Sequence, residues 1–130
     1  MIVVDASAFV EWMTDANYRS GAVAARLSAD AHWAVPEHFL VEVANAIRGH
    51  WLGRRLDDDQ FTELFDRLAS YEFDVWPTRP LLPRIRQLAH NATTYDAAYL
   101  ALAEELRAAL VTTDAKLAAV PGVHCQIVQP

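Results

Sequence analysis

Short, unbroken apolar runs alternate with helical stripes along this chain, and few folds accept that order. Ile2-Val3-Val4, Trp33-Ala34-Val35 and Leu110-Val111 show no inside–outside alternation. A strand apolar on both faces needs cover on both, which a parallel sheet between helices provides. The 130 residues, 53 % of them hydrophobic, supply one domain, residues 1–130, with a single core.

The spacing predicts strands over residues 2–4, 32–35, 73–77, 109–112 and 124–128. Helices are expected over about 7–14 and 20–30, with Phe9, Val10, Met13, Val23, Ala24 and Leu27 inward. Pro36 is expected to stop the second strand and stand in the first turn of a helix over 37–52. That helix carries Leu40, Val43, Ala44, Ile47 and Trp51 as its stripe, and Gly53 as its stop signal. Asp57 or Asp58 caps the next helix, striped by Phe61, Leu64, Phe65 and Leu68. Helices over 81–90, 95–107 and 114–119 complete the pattern.

The net charge of −6 gives no general attraction to nucleic acid or to an anionic membrane. No run approaches the roughly 18 apolar residues of a membrane span. The lone Cys125 forms no disulfide within the chain and no cysteine metal site, which suits a reducing compartment. The opening residues lack the basic start of a secretory leader, so a cytoplasmic protein is expected.

Most acids have an ordinary place. Glu63, Asp66, Glu104 and Glu105 fall on polar helix faces and are expected to be solvated. Four acids differ. Asp5 and Asp114 each follow a strand directly, on the sheet edge where ligands bind in doubly wound folds. Each also suits a helix cap. Glu42 lies at the margin of an apolar stripe, and Asp96 in a first helical turn, where the dipole favours negative charge. Two such charges about 4 Å apart repel by roughly 4 kcal/mol at an effective dielectric near 20. Gathered together they would call for a divalent cation, whose chemistry suits phosphodiester hydrolysis.

Four stretches in this order carry a resemblance: "IVVDASAFV", "PEHFLVEVANAIRG", "TTYDAAYLALAEEL" and "LVTTDAKLA". Together they resemble the PIN-domain family, and within it the VapC-type toxins of type II toxin–antitoxin pairs. The resemblance covers essentially the whole chain. It implies a three-layer α/β/α sandwich with a central parallel sheet of four to five strands, and a Mg²⁺- or Mn²⁺-dependent endoribonuclease. It places the family's acids on Asp5, Glu42, Asp96 and Asp114. Asp5 and Asp96 would be direct metal ligands, while Glu42 and Asp114 would act through metal-bound water or a second ion. Ser7, Asn45 and Thr112 look like supporting polar residues. The implied partners are RNA, a second copy in a homodimer, and a VapB-type antitoxin that brings an Arg into the acidic cleft. Operator DNA would be bound only through the antitoxin.

Competing readings are weaker. An aspartyl phosphatase needs a second Asp where Ser7 stands, and no glycine loop cradles phosphate. A non-catalytic interaction module on the same fold would keep no intact acid set. Arg48, Arg54, Arg55, Arg79, Arg84, Arg86 and Lys116 could meet phosphate or simply be solvated. Trp12, Trp51 and Phe61 could form a dimer face, an antitoxin groove or ordinary core.

Overall fold

Apolar strand segments and capped amphipathic helices form in the expected order in a computed structural model describing residues 1–15 and 21–130. The strands are β1 (Ile2–Val4), β2 (Trp33–Pro36), β3 (Asp74–Trp76), β4 (Ala109–Val111) and β5 (Ile127–Val128). The helices are α1 (Ala6–Thr14), α2 (Ala22–Ser28), α3 (Phe39–Leu52), α4 (Asp58–Ser70), α5 (Leu82–Gln87), α6 (Thr94–Leu106) and α7 (Ala115–Ala118). A short 3-10 turn, Arg79–Leu81, leads into α5.

All strand pairs are parallel, in the order β3-β2-β1-β4-β5. The chain builds outward from β1 through β2 to β3, then returns to lay β4 on the other side of β1. The strand order therefore reverses between β1 and β4, and the crevice at their carboxyl ends is where such sheets bind ligands. α6 lies across β1, β2 and β4 with α5 beside it. α1 packs with α2 and α3, and α3 with α4. The result is the expected three-layer sandwich.

Central β1 is buried along its whole length. Residues 97–103 of α6 are also buried, and their alanines allow close approach to the sheet. Phe9, fully buried, sits at the hub of an aromatic cluster. Trp12, Phe39, Tyr71 and Phe73 lie within 5.5 Å of it, ring centroid to ring centroid, and Trp33 at 6.1 Å. Trp12 is thus part of the core's edge. Trp51 stacks on Phe61 at 4.5 Å and donates its indole N–H to Asp58.

Several expectations need correction. Pro36 ends β2, opposite Trp76, and does not open the next helix. That helix begins at Phe39, and Glu37, in the turn before it, accepts a hydrogen bond from the Thr78 backbone N–H at 2.6 Å. Its buried stripe is then Phe39, Val43 and Ile47, and Leu40 is turned out to solvent. Phe65 is likewise exposed. Gly53 caps α3 with an ordinary negative φ, and the left-handed residue is Arg54. Gly53 N–H closes the last turn on the Gly49 carbonyl oxygen at 3.0 Å. The second helix is shorter than expected, and Ser20 lies outside the described residues. Asp57 is the cap of α4, in a reciprocal pair with Gln60.

Glu104 is not solvated. Its carboxylate accepts from Arg84 Nε at 2.7 Å and Nη2 at 3.0 Å, and from the His124 backbone N–H at 2.8 Å. Arg84 also donates to the Gly122 carbonyl at 2.6 Å, which ties α5 and α6 to the segment before β5. Burial raises the Glu104 carboxyl, but the Arg84 and His124 donors outweigh it and hold it below the usual range. Arg84→Met is expected to cost about 1–2 kcal/mol in a urea melt, since it strands a partly buried carboxylate. A depressed carboxylate stabilises above its ordinary titration range and loses that contribution on acidification through the lowered value. The difference between variant and wild type should therefore shrink as pH falls. An unchanged melt at neutral pH would show the pair to be idle.

Candidate active site at the switch point of the sheet

Asp5 leaves β1 as the N-cap of α1, which is the cap expected of it, at the carboxyl edge of the sheet. All the hydrogen bonds its carboxylate accepts among the described residues converge on Oδ2. They come from the Ser7 backbone N–H at 3.3 Å, the Ser7 hydroxyl through a short contact, and Thr112 Oγ1 at 2.8 Å. Thr112, fully buried at the end of β4, also accepts from the Asp114 N–H at 3.0 Å. Ser7 Oγ accepts from the Thr113 N–H at 3.1 Å. The exits of β1 and β4 are clipped together by this network, with Asp5 only 3 % exposed at its centre. Burial pushes the Asp5 carboxyl up; the Ser7 and Thr112 hydroxyls pull it down, the Glu42 charge raises it, and the net direction is up.

Asp96 stands in the first turn of α6, whose cap Thr93 accepts from the Asp96 N–H at 3.2 Å. Its carboxyl is raised by burial first, then by the charges of Asp114, Asp5 and Glu42 in that order, with His38 opposing. The four acids named from the sequence thus share one electrostatic neighbourhood. Asp114 caps α7, accepting from the Lys116 N–H at 2.8 Å. Glu42 accepts from the Tyr99 hydroxyl at 3.2 Å. Asn45 joins His38, Val41, Glu42, Thr93, Tyr95 and Asp96 in lining an open cavity of about 560 Å³.

Tyr99 and His38 are the residues that sequence reasoning passed over. Tyr99 is fully buried on α6, where it pins Glu42 from the opposite side of the cleft. Burial, the Glu42 and Asp5 charges and the bond to Glu42 all hold its hydroxyl protonated far above the usual tyrosine range. His38 Nε2 lies 3.2 Å from Glu42 Oε2, but without the alignment of a hydrogen bond. A signal existed for both: Tyr99 lies three residues after Asp96 and His38 four before Glu42, so each shares a helical face with its acid.

The donor set is hard oxygen throughout, on mutually repelling carboxylates. Among the described residues no three His, Cys, Asp or Glu side chains stand close enough to form a ready cage. Mg²⁺ ordinarily takes one or two carboxylates and keeps several waters, so the arrangement fits a Mg²⁺-like ion and not a fully protein-ligated one.

The model of the PIN domain matches residues 2–123. The chain is 39 % identical to Ribonuclease VapC12 of Mycobacterium tuberculosis over 127 residues, 98 % of this chain and 97 % of that protein. It is 35 % identical to Ribonuclease VapC1 of the same organism over 126 residues, 96 % of this chain and 94 % of that protein. VapC ribonuclease Mb0985 of Mycobacterium bovis is 35 % identical over 131 residues, 98 % of this chain and 96 % of that protein. A parallel sheet with acids at its switch point, matched along nearly its whole length by that model, makes this chain a member of the PIN-domain family. Within the family it is a VapC-type protein.

Proposed function

We propose that this protein is the toxin of a toxin–antitoxin pair and a Mg²⁺- or Mn²⁺-dependent endoribonuclease. The observation that carries the reading is geometric: Thr112 joins Asp5 at the exit of β1 to Asp114 at the exit of β4, and Asp96 and Glu42 line the adjoining cavity. The relatives' names, ribonuclease in each case, support the same reaction class. Asp5 and Asp96 would hold the ion. Bound there, it would supply charge neutralisation at the phosphate and a more acidic water. Ser7 and Thr112 hold Asp5 Oδ2 still, which leaves Oδ1 for the ligand. Tyr99 holds Glu42 at the cleft wall, and Glu42 and Asp114 orient water.

The same reading includes a VapB-type antitoxin, a homodimer, operator DNA bound through the antitoxin, and action in the cytoplasm. Trp12, Trp51 and Phe61 are partly buried against the core, so they offer less than the exposed apolar patch of Leu40, Val41 and Phe65 beside α3 and α4. That patch borders a shallow groove of about 300 Å³ and supports a protein contact there. Among the described residues no helix is long and apolar enough to cross a membrane.

Mapping new 5′ ends of cellular RNA after brief induction tests the reading. The wild type should produce discrete ends, and Asp96→Asn should reduce them by about 100-fold or more, as expected when several kcal/mol of charge stabilisation is lost. Equal fragments from both would overturn it.

A further inference from the structure

The cavity beside the acids has a wall that the proposed hydrolysis does not use. Tyr95, immediately before Asp96, is 65 % exposed. Its ring is nonetheless held in place. The His38 ring meets it edge to face at 5.6 Å and meets the buried Tyr99 ring at 5.1 Å. The series Tyr99–His38–Tyr95 therefore runs from the core to the surface and ends in a ring open to the cleft. Val41, 73 % exposed, extends this apolar shelf, and Asn45 places an amide on the same cavity wall.

The ligand chemistry follows from what surrounds the ring. Among the described residues the lining holds two acids, Glu42 and Asp96, and neither lysine nor arginine, so away from the ion that Asp5 and Asp96 would hold the cavity wall repels phosphate. A flat, uncharged group with hydrogen-bonding edges avoids that repulsion. Exposed aromatic rings bind such groups by stacking, and unpaired bases of single-stranded RNA present them. We propose that Tyr95, braced by His38, is a stacking platform for one base of single-stranded RNA, with Asn45 reaching that base's edge. This deepens the nuclease reading and rests on it.

The test compares two labelled probes by fluorescence anisotropy, with Ca²⁺ in place of Mg²⁺. One is a short single-stranded RNA of random sequence; the other is a ribose-phosphate strand of the same length without bases. Tyr95→Ala should weaken the base-bearing strand by about 5- to 150-fold and the abasic strand by less than about twofold. Tyr95→Phe should bind both as the wild type does, since a phenyl ring still stacks. Tyr95 is exposed, so both variants should melt as the wild type does. Equal losses on both strands, or none on either, would overturn the platform. Failure of the underlying reading looks different: Asp5→Asn would still cleave RNA, whatever the two strands show.

Discussion

Replacing Asp5 with Asn should lower RNA cleavage by about 1000-fold or more and abolish the rise in melting temperature that Mg²⁺ or Mn²⁺ gives the wild type. Asn keeps an oxygen for Ser7 and Thr112, so the clip between β1 and β4 survives while the charge is lost. An ion that binds only the folded chain stabilises it by about 2.7 kcal/mol at one hundred times its dissociation constant. That contribution should vanish in the variant, together with growth inhibition by the expressed protein. Retained toxicity with retained cleavage would end the case for the acid site.

The pH dependence has a definite sign. Burial, together with neighbouring charge, places the folded carboxyls of Asp5 and Asp96 above their unfolded values. Between those two values these groups bind more protons in the folded chain than in the unfolded chain, so without ion their contribution to stability falls as pH rises through that window. Ion binding needs the deprotonated forms and should weaken as pH falls through the same window. Thermal melts across pH, with and without Mn²⁺, should therefore diverge upward from the acidic side. Asp5→Asn should flatten the ion-free curve. A stability difference, wild type minus Asp5→Asn, that rises with pH over the window would contradict the arrangement of charges described here.

The largest loss of stability is expected at the aromatic hub. Phe9→Ala removes a fully buried ring that five other aromatic side chains surround, and the layers about it cannot collapse without separating α1 from the sheet. The expected cost is about 3–5 kcal/mol. That is a large share of the roughly 5–15 kcal/mol that holds a domain of this kind folded. In thermal melts it amounts to a drop of roughly 10–20 °C. Phe9→Leu, which keeps much of the volume, should lose less than half as much. A drop of only a few degrees for Phe9→Ala would show that the cluster repacks.

Much of the fold was legible because burial leaves a period in the chain. Ile2-Val3-Val4 and Leu110-Val111 read as strands covered on both faces, and they are. The stripe of α1 and the cap of α4, narrowed to Asp57 or Asp58, were equally visible, since each depends on neighbours a few positions away. Errors fell where a distant contact overrode that local preference. Trp76 pairs with Pro36 and holds it in β2, and α3 packs with Phe39, Val43 and Ile47 inward, which leaves Leu40 exposed. Glu104 reads as solvated until α5 brings Arg84 against it.

Asp5, Glu42, Asp96 and Asp114 could be named from four short stretches, and their residue types already implied a hard cation. Their meeting could not be derived from those stretches, because strand order is a property of long-range pairing. β4 has to return beside β1, across more than a hundred residues, before Thr112 can donate to Asp5. The same folding sets Tyr99 against Glu42 and His38 against Tyr95. Local chemistry specifies which side chains cap, bury or ionise; packing of remote segments specifies which of them share a dielectric environment, and a site exists only once they do.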